Sequence, residues 1–137
     1  MRLVLDTNLL VAGLLSPYGP PAQILPLLLN RKASLCYDAR IIIEYRAVLA
    51  RPKFGFDREA ADAVIDFLEY AGELFVPTPW PATPPDPDDA MFLEVACAAR
   101  ADCLVTGNLK HFPKRARRTI RVLSPAEAVK RLIPQPE

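Results

Sequence analysis

Leu3-Val4-Leu5-Asp6-Thr7-Asn8-Leu9-Leu10 is the stretch whose reading decides the fold. Three apolar residues run into three polar ones, and the chain then turns apolar again. Leu3, Val4 and Leu5 read as a short strand buried on both faces, as strands inside parallel sheets are. In open parallel sheets ligands bind just beyond the carboxyl ends of the strands. Asp6 therefore stands where chemistry is done. The competing reading is that Asp6 or Asn8 only caps the helix that follows.

Working outward, the 137 residues suit one domain over the whole chain, long enough for a real core. Hydrophobic residues make up 51% and charged residues 24%, so the chain should fold. A formal net charge of +1 is no global nucleic-acid signature, and any electrostatic partner must be met by a local patch. The apolar runs are too short for a membrane span. Met1 and Arg2 lead straight into the first strand, leaving no room for a signal peptide, so a cytoplasmic location is expected. Cys36, Cys97 and Cys103 lack metal-ligand spacing and read as reduced, buried packing residues. His111 is the sole histidine, which excludes sites built from several histidines, and no Gly-x-Ser-x-Gly elbow is present.

Along the chain, Leu9 to Leu15 starts a helix, and Ala22 to Asn30 reads as a second with Pro26 as its weak point. Ser34 to Tyr37 is a second strand. Asp38 caps a helix from Ala39 to Ala50, whose stripe gathers Ile41, Ile42, Tyr45, Val48 and Leu49 and leaves Glu44 at its margin. Asp57 caps a helix to Ala71, with Ala60, Val64, Phe67, Leu68 and Ala71 facing inward. Glu73 to Val76 is a third strand. Six prolines around Trp80, from Pro77 to Pro87, form a stiff surface connection. Asp86 and Pro87 then open a helix as N-cap and first helical residue. Phe92, Val95, Ala96 and Ala99 form its buried face, with Glu94 opposite; periodicity leaves open whether Asp88 or Asp89 faces a site. Cys103 to Val105 is a fourth strand ending at Thr106-Gly107-Asn108, a repeat of the opening pattern. A basic stretch carries Lys110, Lys114, Arg115, Arg117, Arg118 and Arg121. Ile120 to Leu123 is a fifth strand, and Ser124 starts a closing helix to about Leu132. This order predicts a three-layer α/β/α sandwich with a central, mostly parallel five-stranded sheet and the first strand in the middle.

On such a fold Asp6, Glu44, the Asp86–Asp89 cluster and Asn108 converge on one edge of the sheet. Two like charges about 4 Å apart at an effective dielectric near 20 repel by roughly 4 kcal/mol. Such a cluster needs raised pKa values or a cation. Oxygen donors without a His or Cys cluster suit Mg²⁺ or Mn²⁺ better than zinc. A carboxylate-bound divalent ion with open water positions is apparatus for phosphodiester hydrolysis.

These residues resemble the PIN-domain ribonucleases, of the kind found as the toxin of prokaryotic toxin–antitoxin pairs (VapC-like). The matching pieces are Val4 to Asn8, then Glu44 with Val48 to Phe54. Asp86 to Glu94 and Ala101 to Asn108 with His111-Phe112 follow in family order over almost the whole chain. The resemblance implies metal binding by Asp6, Glu44 and Asp89. Asp89 is preferred because the family's acid lies three residues before an apolar helix position, here Phe92. Asp86 is a further metal candidate by its closeness in sequence. Thr7, Asn8 and Thr106 would support the site. Many members carry a fourth Asp where this chain has Asn108, whose amide oxygen can bind a metal or its water but adds no charge. The resemblance further implies metal-dependent cleavage of RNA, an antitoxin partner and homodimerisation. Lys110, Lys114, Arg115, Arg117 and Arg118 are the residues to grip RNA phosphates. Two rivals stand beside this reading: an inactive PIN-like module that only binds RNA or protein, and a phosphatase with Asp6 as nucleophile. Asn8 counts against the phosphatase, which would want an acid there.

Overall fold

The computed structural model describes residues 1–134. Five strands, β1 (Arg2–Leu5), β2 (Ser34–Tyr37), β3 (Glu73–Leu74), β4 (Cys103–Val105) and β5 (Val122–Leu123), form one sheet in the order β3-β2-β1-β4-β5. All four pairings are parallel, and β1 is central. The helices are α1 (Thr7–Leu15), α2 (Pro20–Leu29), α3 (Ala39–Leu49), α4 (Arg58–Ala71), α5 (Ala90–Ala99), α6 (Lys114–Arg117) and α7 (Pro125–Leu132). Together they make the expected three-layer α/β/α sandwich. Leu3, Val4 and Leu5 are almost wholly inaccessible, as a strand covered on both faces must be. The core spreads from them to Ile24, Ile41, Tyr45, Ile65, Phe92 and Leu104. No helix among the described residues is long and apolar enough to cross a membrane.

Pro26 sits inside α2, which runs through it unbroken in secondary structure. Asp38 accepts the Ile41 N–H at 3.1 Å and Asp57 the Ala60 N–H at 3.0 Å, so both anticipated caps are in place. Ser124 and Glu127 close a capping box at the start of α7.

Several expectations require correction. β3 stops at Leu74 because Pro77 and Pro79 have no N–H to extend a ladder. β5 begins at Val122 because the Ile120 N–H is spent on a turn, donating to the Arg117 carbonyl at 2.8 Å. The inward face of α4 is Ala61, Ile65 and Leu68, so Ala60 faces out and Phe67 lies at the margin, under the Arg31 guanidinium. Cys97 is exposed, whereas Cys36 and Cys103 are buried.

Glu94 is the largest correction. It does not face solvent: α5 is buried along Met91 to Ala96 because the proline-rich connection covers its outer side. The Glu94 carboxylate there accepts the Trp80 N–H at 2.7 Å and pairs with Arg40 at 2.8 Å. Trp80 also donates its indole N–H to the Ala116 carbonyl at 2.6 Å. The connection is thus a strap fastened to α5 at one point and α6 at the other.

Candidate active site

The register of β1 on β4 builds the site. Leu5 pairs with Val105, and the Asp6 N–H donates to the Val105 carbonyl at 3.0 Å. The next residues out of the sheet, Asp6 and Thr106, therefore emerge side by side. Thr106 Oγ1 donates to Asp6 Oδ2 at 2.8 Å, and both residues are buried. Asp6 occupies the N-cap position of α1 yet makes no side-chain capping hydrogen bond. Its carboxylate takes the Thr106 hydroxyl from β4, while the Thr7 and Asn8 N–H groups at the start of α1 also favour its charged form.

Thr7, the first residue of α1, donates its hydroxyl to Glu44 on α3. Tyr45, the neighbour of Glu44, is fully buried and donates its hydroxyl to the Leu5 carbonyl at 2.5 Å. That bond pins α3 to the end of β1 and leaves Glu44 half-buried at the mouth. Asn8 is exposed and its side chain takes no part in this network.

On the other side, Asp86 caps a 3-10 turn, Pro87–Asp89, by accepting the Asp88 N–H at 3.0 Å, and the turn feeds α5. Asp86 and Asp88 are exposed; Asp89 has a side chain only 15% exposed. Of the two residues that periodicity left open, Asp89 is the more buried, while Asp88 lines the adjoining groove. Burial first, and then the negative charge of Asp6, push the Asp89 carboxyl up to about 6; Asp86 and Glu44 add to the push and His111 counters it. Burial also raises the Asp6 carboxyl, with the Thr106 hydrogen bond opposing. These are the marks of carboxylates close enough to repel. A groove of about 490 Å³ opens beside them, lined by Arg40, Ile43, Glu44, Pro87, Asp88, Ala90, Met91 and Glu94.

Among the described residues no three carboxylates, histidines or cysteines stand together at ion-holding spacing. Mg²⁺ does not need such a cage, since it keeps several waters and is held by one or two carboxylates. An all-oxygen donor set with uncompensated negative charge fits a hard cation of that kind.

Asn108 is at the edge of this group. Its Oδ1 accepts the Lys110 N–H at 3.1 Å and so caps a second 3-10 turn, Leu109–His111. His111 Nδ1 lies 3.8 Å from Asp89 Oδ2, so the sole histidine belongs to the site. The sequence placed His111 within a matching family segment but gave it no role in the site; its place three residues after Asn108 was the available signal. In the basic stretch, Lys110, Lys114, Arg115 and Arg118 are exposed, while Arg117 donates its Nε–H to the Phe112 carbonyl at 2.9 Å.

The sequence model of the PIN domain family matches residues 2–110, most of the chain and a span that includes Asp6, Glu44, Asp86, Asp88 and Asp89. The chain belongs to the PIN-domain family. This PIN domain is also similar to a chain in the crystal structure of VapBC2 from Rickettsia felis bound to a DNA fragment from their promoter. The TM-score is 0.58 at 16% identity, over 90% of this chain and 98% of the other. At that identity the likeness is one of fold. No curated protein matches the chain.

Proposed function

We propose that this PIN domain is a metal-dependent endoribonuclease and the toxin of a toxin–antitoxin pair. The observation that carries the reading is that Asp89, at the mouth beyond β1, feels the charges of Asp6, Asp86 and Glu44, which with burial push its carboxyl up to about 6. Asp6 and Asp89, with Glu44 beside them, would hold Mg²⁺ or Mn²⁺; Asp86 contributes charge from the rim. When bound, the ion would supply an acidified water and a counter-charge for phosphodiester hydrolysis. Thr106 and Thr7 orient Asp6 and Glu44 through their hydroxyls. Lys110, two residues after Asn108, presents exposed charge for RNA phosphates beside the site, and exposed Lys114, Arg115 and Arg118 continue it along the chain, Arg118 against the far end of α5 with Cys97 and Ala98. The likeness to a VapBC2 chain supports a protein antitoxin as partner, and a homodimer is proposed on the family resemblance alone.

A second reading, a PIN-like module that binds without cleaving, is favoured by one observation. The Asn108 side chain is spent on Lys110 and His111 and adds no charge at the position where the family resemblance leads one to expect a fourth acid. The test is to incubate the protein with a mixed RNA pool and Mn²⁺ or Mg²⁺, beside Asp6→Asn and EDTA controls. Cleavage lost in both controls supports the nuclease; an intact pool with folded protein and either metal supports the binding module.

A further inference from the structure

The imidazole of His111 is held in a defined state by Asn108. A backbone N–H only donates, so the Lys110 N–H at 3.1 Å fixes Asn108 Oδ1 on its side of the amide. Nδ2 then points the other way, 3.1 Å from His111 Nε2. An amide nitrogen offers no acceptor, so Nδ2 donates and Nε2 is the unprotonated nitrogen of the neutral ring. The ring proton sits on Nδ1, the atom that faces Asp89 Oδ2 at 3.8 Å. That distance is an electrostatic contact, longer than a hydrogen bond.

We propose that His111 is a positioning residue for Asp89, its tautomer set by Asn108 so that Nδ1–H faces and orients the Asp89 carboxylate. The inference rests on the reading of Asp89 as a metal-binding acid. It gives position 108 a physical role that an Asp could not fill. A carboxylate only accepts, and would require the proton at Nε2. Asn108 adds no charge, and it turns the histidine's N–H toward Asp89, a carboxyl held in a partly buried, acidic setting. Partners behind a metal-binding group tune it in this way, and removing them typically weakens metal binding by about 10- to 100-fold.

Because His111 is the sole histidine, a long-range ¹H–¹⁵N spectrum of the labelled protein reports one ring. Recorded near pH 8.5, above the ordinary imidazole range of about 6.5, the wild type should show the proton on Nδ1. Asn108→Asp should move it to Nε2. Mn²⁺ binding, followed by calorimetry, should weaken about tenfold in His111→Ala. His111→Asn, whose amide N–H lies where Nδ1–H lies, should restore most of it, and His111→Gln, which mimics the other nitrogen, should not. A proton on Nε2 in the wild type, unchanged Mn²⁺ affinity in His111→Ala, or equal rescue by Gln would overturn the proposal. The spectrum needs neither metal nor RNA, so it is read apart from any failure of the wild type to cleave RNA.

Discussion

At the scale of single residues, Asp89 carries the sharpest consequence. With its folded value raised from 3.8 to about 6, the native protein binds a proton more tightly than the unfolded chain does. The contribution of Asp89 to the stability of the metal-free protein therefore falls as pH rises from about 4 to about 6 and levels off above. A rise of that size corresponds to about 3 kcal/mol at most, and solvent at the mouth of the site screens part of it. Asp89→Asn should thus stabilise the metal-free protein by about 1–3 kcal/mol at pH 7.5 and by little at pH 4. Urea unfolding in EDTA at the two pH values checks this, and an equal difference at both would refute it. Thr106→Val keeps the shape but removes the hydroxyl that donates to buried Asp6. The expected loss is about 1–3 kcal/mol, because a buried acceptor is left unmet. Thermal melts above and below the carboxylate range should show it larger where Asp6 is ionised.

At the scale of elements, the strap over α5 makes Glu94 a structural residue. Glu94→Ala should cost about 2–4 kcal/mol, somewhat below the 3–5 of a fully buried broken pair, because half-exposed Arg40 can return to water. Glu94→Gln keeps an acceptor for the Trp80 N–H and should cost less. Denaturant midpoints of the two variants give the comparison, and equal losses would mean that the ion pair alone matters. Gly72 ends α4 where no side chain fits: a Cβ there would lie 2.4 Å from the Leu35 carbonyl oxygen and 2.7 Å from that of Leu68. Gly72→Ala should therefore lower the melting temperature by forcing α4 away from β2.

The same elements explain what could be read from the sequence. β1, β2 and β4 were legible because continuous burial writes itself as Val, Leu and Cys runs bounded by polar residues. Asp38, Asp57 and Ser124 were legible because capping is local chemistry. Asp89 was reached through the spacing of a family motif, since periodicity alone left Asp88 equal to it. Glu94 was misplaced because helical periodicity assumes solvent opposite the apolar stripe. Only the tertiary course of Pro77 to Pro87 shows that a strap lies there. His111 was seen as part of a matching segment but given no role, because its partner is an amide whose orientation depends on the turn it caps.

At the scale of the whole molecule, a net charge of +1 hides two opposed surfaces. The acids stand at the carboxyl end of β1, and the exposed cations follow β4 and its turn. Reversing Lys114, Arg115 and Arg118 to Glu should weaken RNA binding and flatten its dependence on salt, as the loss of phosphate contacts requires. Arg117 is left out because it holds the Phe112 carbonyl. Binding of labelled RNA across a salt series gives the slope, and an unchanged slope would return the stretch to an ordinary solvated loop.

The most direct test of a shared metal centre is the initial rate of RNA cleavage as Mn²⁺ is titrated into the wild type and into Asp6→Asn, Glu44→Gln and Asp89→Asn. Such a centre requires a saturable rise in the wild type and a loss of at least about 100-fold, or some 2.7 kcal/mol, in each variant. Any one of the three cleaving at the wild-type rate would contradict the assignment of these acids to one metal-dependent centre.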